Sequence, residues 1–190
     1  MKAEIRQRVI AARDALPAST RSTASARITS QLIALPGYLE ARCVGAYAGF
    51  GTELDTRAFI ADVLARGKAL ALPRVDRASR SLQFHAVHDP GSQLAPGVWG
   101  IPEPRPDACP RIDHSKIDFF LVPGVAFTTR CERLGYGAGF YDRMIGALPD
   151  RPRLVAAAFA AQVVPHLPMS ATDQCVDLVV TELAEYARPT

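Results

Sequence analysis

The sequence predicts an α/β protein: a single three-layer α/β/α domain over residues 1–190 with a mostly parallel, Rossmann-like sheet. Three observations carry that expectation. Apolar runs of strand length alternate with segments of helical periodicity, the order that builds parallel sheets through crossover helices. Residues 117–127, 154–160 and 176–181 are nearly uninterrupted apolar runs, as expected of strands covered on both faces. A chain of 190 residues, 48% hydrophobic and 22% charged, suits one substantial core and excludes a disordered or fibrous class.

Residues 2–16 place Ile5, Val9, Ala12 and Leu16 on one amphipathic stripe, and Pro17 limits the helix. At about 100° per residue, Lys2, Arg6 and Arg13 fall within roughly 40° of one another beside that stripe and form a basic edge. A second helix is expected over about 22–35, with Ile28, Leu32 and Leu35 on one side and Pro36-Gly37 as its stop. The period then changes. Residues 43–48 read as a strand, 52–55 as a polar connection, 56–66 as a helix with Gly67 just past its end, and 68–72 as a strand ending at Pro73. Residues 81–87 suggest a further strand. Between 88 and 116, Pro90, Pro96, Pro102, Pro104, Pro106 and Pro110 forbid a long regular element and predict a stiff loop, functional or poorly ordered. The sole tryptophan, Trp99, lies in it, placed to cap a core or to stack on a planar ligand.

The net charge of +3 is mildly basic, which suits an anionic ligand and is too weak to argue for nucleic acid. Cys43, Cys109, Cys131 and Cys175 stand far apart, without a C-x-x-C pair or a histidine at zinc spacing, so no structural metal site is expected. The first residues carry a charge in nearly every turn and lack the apolar core of a signal peptide, which implies reduced thiols and a cytoplasmic location. The longest uncharged run, 154–172, is broken by Gln162, Pro165, His166 and Pro168 and is no membrane span.

Residues 121–143, LVPGVAFTTRCERLGYGAGFYDR, hold most of the chemistry. Gly135, Gly137 and Gly139 alternate with Tyr136 and Ala138, so the backbone can turn its N–H groups onto an anion or adopt positive φ. Phe140 opens a helix over about 140–148, stopped by Pro149, whose first turn favours phosphate. Arg133 supplies a cation for phosphate oxygens and Asp142 a carboxylate for Mg²⁺. The spacing excludes two familiar loops. Three residues after Gly137 comes Phe140, so G-x-G-x-x-G fails, and the only Gly-Lys pair, Gly67-Lys68, has Asp62 where a Walker A loop needs glycine. The plainer alternative is a tight strand-to-helix connection with Asp142 complementing the helix dipole.

The segment RLGYGAGFYDR, preceded by VPGVAF and followed by LP and TDQCVDLVVTE, closely resembles the 5-formyltetrahydrofolate cyclo-ligase family, also called methenyltetrahydrofolate synthetases. The likeness covers nearly the whole chain. It takes in the opening K-x-x-x-R of Lys2 and Arg6, AYAGFGTELDT with Glu53, Leu72-Pro73, and WGIPEP from Trp99. The resemblance implies ATP-driven closure of 5-formyltetrahydrofolate to 5,10-methenyltetrahydrofolate with Mg²⁺, releasing ADP and phosphate. It implies ATP contacts at Lys2, Arg6, Arg133, Leu134, Gly135, Tyr136, Gly137, Ala138, Gly139, Phe140 and Tyr141. Folate contacts would be Ala48, Glu53, Trp99 and the run Tyr136, Gly137, Ala138, Gly139, Phe140. Arg133 and Asp142 would be catalytic, and Asp142 and Asp173 would hold the metal. The partners would be these small molecules alone, on a monomer without nucleic acid or membrane.

Two residues depart from the common pattern: Ala138 removes a possible cation and Phe140 a possible hydroxyl. These bear on affinity more than on reaction type. Two other functions compete. A sugar-phosphate isomerase or acyl-transferase would want the same loop but finds no nucleophile or base in it. A non-catalytic nucleotide- or folate-binding paralogue could dispense with a metal ligand, whereas this chain keeps Asp142, Asp173 and Arg133.

Overall fold

The computed structural model describes residues 1–189, with Trp99 described by its backbone alone. Helices α1 (Lys2–Asp14), α2 (Ala18–Leu32) and α3 (Pro36–Glu40) precede strand β1 (Cys43–Gly45). Helix α4 (Arg57–Ala65) leads to the hairpin of β2 (Ala69–Asp76) and β3 (Ser81–Ala86). There follow α5 (Pro90–Gln93), β4 (Leu94–Pro96), β5 (Pro102–Pro104), β6 (Arg111–Ile112), β7 (Phe119–Val122), β8 (Ala126–Phe127) and β9 (Arg133–Leu134). Helix α6 (Phe140–Gly146), β10 (Arg153–Ala157), β11 (Leu178–Val180) and β12 (Glu185–Ala187) complete the described elements.

Eight strands form one sheet in the order β12-β11-β10-β7-β1-β2-β3-β6. From β2 through β1, β7 and β10 to β11 the neighbours run parallel, and the outer pairs β11–β12, β2–β3 and β3–β6 run antiparallel. Alternate residues serve opposite faces, as the strand period requires. Leu70, Leu72, Phe119, Leu121, Val155, Leu178 and Val180 join α2, α3 and α4 in one apolar cluster. Ala71, Phe120, Val122, Leu154, Ala156 and Val179 join α6 in a second. Both faces are therefore covered, which is why these strands read as unbroken apolar runs. The chain leaves β1 toward β2 on one side, while β7 lies on the other. A crevice opens at the carboxyl ends of β1 and β7, where such sheets take their ligands.

Several boundaries differ from the sequence expectation. The second helix begins at Ala18, directly after Pro17, and ends at Leu32, because Pro36 opens α3 as its first residue instead of merely stopping α2. Strand β2 continues through Pro73 to Asp76; β1 ends opposite Ala71, so beyond that point one side of β2 has no strand to which Pro73 would owe an N–H. Residues 117–127 are not one strand. The run breaks at Pro123-Gly124, and Ala126–Phe127 turns back to pair with Arg133–Leu134. The proline-rich segment contains α5 and a hairpin of β4 and β5 that packs on β2, so it is ordered by short elements.

The four cysteines are free. No helix among the described residues is long and apolar enough to cross a membrane.

Candidate active site

The glycine segment leaves β9 and enters α6. Two of its glycines are required by conformation: Gly137 has φ +114° and Gly139, the N-cap of α6, has φ +68°. At Gly135 a Cβ would sit 3.1 Å from an Arg133 terminal nitrogen, a tight contact that would push on the arginine. The loop is thus shaped by its backbone and packed against arginine.

The basic edge of α1 faces this loop. Ile5, Val9 and Ile10 pack with Ala126, Leu134, Val164 and Leu167, so the apolar stripe seats α1 on the hairpin from which the loop springs. The arginines beside the stripe are then carried onto the loop itself. Arg6 Nε donates to Gly135 O at 2.7 Å, and Arg13 donates to Tyr136 Oη at 3.0 Å. Lys2 Nζ donates to Asp173 Oδ2 at 2.5 Å.

Two cavities meet at the loop. One, of about 660 Å³, is mainly apolar and is walled by Tyr47 and Ala48 after β1, Glu53, Pro123 after β7, and Ile101 to Glu103 of the proline-rich segment. The other, of about 830 Å³, is polar and is walled by Lys2, Arg6, Arg143, Gly137, Ser170 and Asp173. Gly135, Gly139 and Asp142 line both. The loop divides its residues between them: Arg133, Tyr136, Ala138, Phe140 and Tyr141 face the apolar cavity, while Leu134 and Gly137 face the polar one.

Arg133 and Asp142 form the pair at the junction. The Arg133 side chain is 2% exposed; it donates to Asp142 Oδ1 at 2.7 Å and to Pro123 O at 3.2 Å, and its guanidinium lies 5.9 Å over the Tyr141 ring. Its Nε–H is buried and has no partner among the described residues. Asp142 Oδ1 also accepts from Gln174 N at 3.0 Å, which joins α6 to the segment carrying Asp173. Burial raises the Asp173 carboxyl, but hydrogen bonds from Lys2 and Ser170 outweigh it and hold the group below its usual range. Glu53 goes the other way. Burial lifts its pKa, and hydrogen bonds from Tyr136 and Phe50 N with the Arg13 charge oppose that rise only in part. Burial and the neighbouring Glu53 raise the Tyr136 phenol, so it stays protonated and donates to Glu53.

Ala48, Glu53, Lys2, Arg6, Asp142, Asp173 and the run 133–141 line the two adjoining cavities. Trp99 lies in the turn Val98–Gly100, and its side chain is outside the described residues. Within the expected ATP run, Arg133, Tyr136, Ala138, Phe140 and Tyr141 stand on the apolar wall instead, and Gly137, expected also to touch folate, stands on the polar one. Sequence reasoning missed Arg143 on the polar wall and Glu103, 5% exposed on the apolar wall. The sequence places Arg13 on the basic edge without a partner; its 5% exposure sets it apart from a solvated surface charge.

Among the described residues no group of three or more His, Cys, Asp or Glu side chains is arranged to hold a metal. Among the described residues Asp142 Oδ2 and Asp173 Oδ1 make no hydrogen bond, and both belong to carboxylates on the polar wall. That donor set fits Mg²⁺, which takes one or two carboxylates and completes its shell with substrate phosphates and water.

A model of the 5-formyltetrahydrofolate cyclo-ligase family matches residues 1–182. The 5-formyltetrahydrofolate cyclo-ligase of Escherichia coli (strain K12) is 30% identical over 178 residues, covering 93% of this chain and 96% of that one. The mouse protein of the same name, from Mus musculus, is 27% identical over 193 residues, covering 96% and 92%. Among solved structures, the NMR structure of 5,10-methenyltetrahydrofolate synthetase from Aquifex aeolicus superposes with a TM-score of 0.86 at 32% identity, over 100% of this chain and 93% of that one. With likeness of this extent in both sequence and fold, the chain belongs to the 5-formyltetrahydrofolate cyclo-ligase family.

Proposed function

We propose that the chain closes 5-formyltetrahydrofolate to 5,10-methenyltetrahydrofolate, with ATP and Mg²⁺, releasing ADP and phosphate. One observation carries this reading: an apolar cavity and a cation-lined polar cavity share the wall formed by Gly135, Gly139 and Asp142. A planar folate suits the first cavity and a nucleotide phosphate chain the second, so their reacting ends would meet at that wall.

A formamide oxygen is a poor leaving group. The formyl oxygen therefore attacks the γ-phosphorus of ATP and ADP departs. N10 then adds to the activated formyl carbon, the carbon–oxygen bond breaks, phosphate leaves, and N10 gives up its proton. The work left to the protein is placement and charge neutralisation. Lys2 and Arg6 hold phosphate oxygens from α1, together with the backbone of the loop. Arg133, beside the junction, neutralises charge on the moving phosphoryl group, and Asp142 fixes Arg133. Glu53 orients the folate ring, and Ala48 and Phe140 supply its apolar walls. Asp142 and Asp173 would hold Mg²⁺, which when bound offsets phosphate charge. Residues 1–190 would act as one domain, as a monomer in the cytoplasm, without nucleic acid or membrane.

The test is to mix the protein with 5-formyltetrahydrofolate, ATP and Mg²⁺ and follow the methenyl chromophore. An ATP-dependent rise in absorbance is expected; its absence rejects the reading.

A further inference from the structure

We propose that Arg13 is a positioning residue for the folate half of the reaction: through Tyr136 it fixes the carboxylate of Glu53 at the wall of the apolar cavity. The inference rests on the folate reading of that cavity. Arg13 stands in the last turn of α1 with a side chain 7% exposed, and a buried guanidinium has only donors, each needing an acceptor. Its Nε donates to Thr52 Oγ1 at 3.0 Å, and a terminal nitrogen donates to Tyr136 Oη at 3.0 Å. Asp14 Oδ1 lies 3.7 Å from Nε and accepts from the Thr52 hydroxyl.

The direction of the next bond follows. Because arginine cannot accept, Tyr136 Oη accepts from Arg13, and its own proton is left for Glu53 Oε1. The second carboxylate oxygen, Oε2, accepts from Phe50 N at 3.3 Å. Phe50 in turn lies against the Tyr136 ring, with centroids 5.9 Å apart. Glu53 is thus clamped as an acceptor from one side by the chain Arg13–Tyr136 and from the other by its own turn. Arg13 does not line the cavity; it reaches the site only through residues that do or that adjoin them.

The same helix supplies the control. Lys2 and Arg6 stand on the wall of the polar cavity, so a loosened α1 would disturb both substrates, whereas a lost clamp disturbs only folate. In Arg13→Met, KM for 5-formyltetrahydrofolate is expected to rise about tenfold, the equivalent of one charge-assisted hydrogen bond, with KM for ATP changed by less than about twofold. Tyr136→Phe should give a similar split, and the double variant should be no worse than Arg13→Met by more than about twofold, because both changes cut one chain. Tyr136 is 44% exposed, so its variant carries the test where Arg13→Met is unstable. Arg13→Lys keeps the charge but not the two-pronged reach, and should fall between. An unchanged folate KM, a parallel rise in both KM values, or additive effects in the double variant overturns the proposal. Wild-type protein that forms no methenyl product overturns the functional reading and this inference together; normal wild-type turnover with an unaffected Arg13→Met overturns this inference alone.

Discussion

Replacing Arg133 with methionine removes one charge from the pair at the junction of the two cavities and keeps most of the side-chain volume. Arg133 is 2% exposed and Asp142 20%, so the carboxylate left behind is largely shut away from water. Deleting one partner of a buried pair costs about 3–5 kcal/mol, and the lower end applies because Asp142 keeps some exposure and its bond from Gln174 N. For a chain of this size each kcal/mol moves the melting temperature by about 2–4 °C, which puts Arg133→Met about 6–12 °C below wild type. Adding Asp142→Asn removes the stranded charge and keeps an acceptor for Gln174 N. The double variant should therefore melt above the single one while remaining catalytically dead. Circular-dichroism melts paired with methenyl absorbance measure both quantities. An Arg133→Met variant that melts with wild type, or a double variant less stable than the single, refutes the claim that this pair is an electrostatic unit.

Asp142→Ala should lower kcat by about a hundredfold or more, the scale of losing a charge organiser at a reacting centre, and a retained full rate would return Asp142 to a purely structural pairing. Gly137→Ala forces a side chain into φ +114° within 3.4 Å of the Arg6 guanidinium; it should cost about 1–2 kcal/mol in denaturant unfolding and raise KM for ATP, and an unchanged midpoint would count against the strained loop. Glu53 has a raised pKa, so its contribution to stability is present below the unfolded value and lost as pH rises through the folded one. Folate binding by its carboxylate should strengthen over that same rise, and Glu53→Gln should flatten both dependences. Asp173 has a lowered pKa, so stability from its pairing with Lys2 is present above the unfolded value and lost as pH falls through the folded one; the loss, below about 1 kcal/mol, should vanish in Asp173→Asn when melts are compared across acid pH.

The sheet was legible because strands covered on both faces leave an unbroken apolar signature, seen at Phe119–Val122 and at residues 154–157. The same signature hid the break after Val122. Apolarity reports burial, and both β7 and the hairpin of β8 with β9 are buried, so only Pro123-Gly124 marked the turn. Strand β12 carries three residues and no buried position, too little pattern to read. At the site, Gly137 and Gly139 were legible because positive φ has a residue-level signature. Arg13 was not, because periodicity tells which face of a helix a residue occupies and not what stands opposite. Glu103 carries no local signal at all. Its burial comes from the docking of β5 on β2, a contact between residues distant in the chain.

The bond from Lys2 to Asp173 spans 171 positions, and the loop at Gly135 lies between its ends in the chain. During synthesis the first helix must therefore wait for almost the entire remaining chain before the polar cavity has both its walls. Closing so long a loop is entropically slow compared with forming the local pairs of β1 with β2 or β2 with β3. The binding cleft is expected to mature last, so a nascent chain released before residue 173 would hold much of the sheet and none of the activity. Pulse-labelled hydrogen exchange during refolding would read this order as late protection in α1 after early protection in β2 and β3.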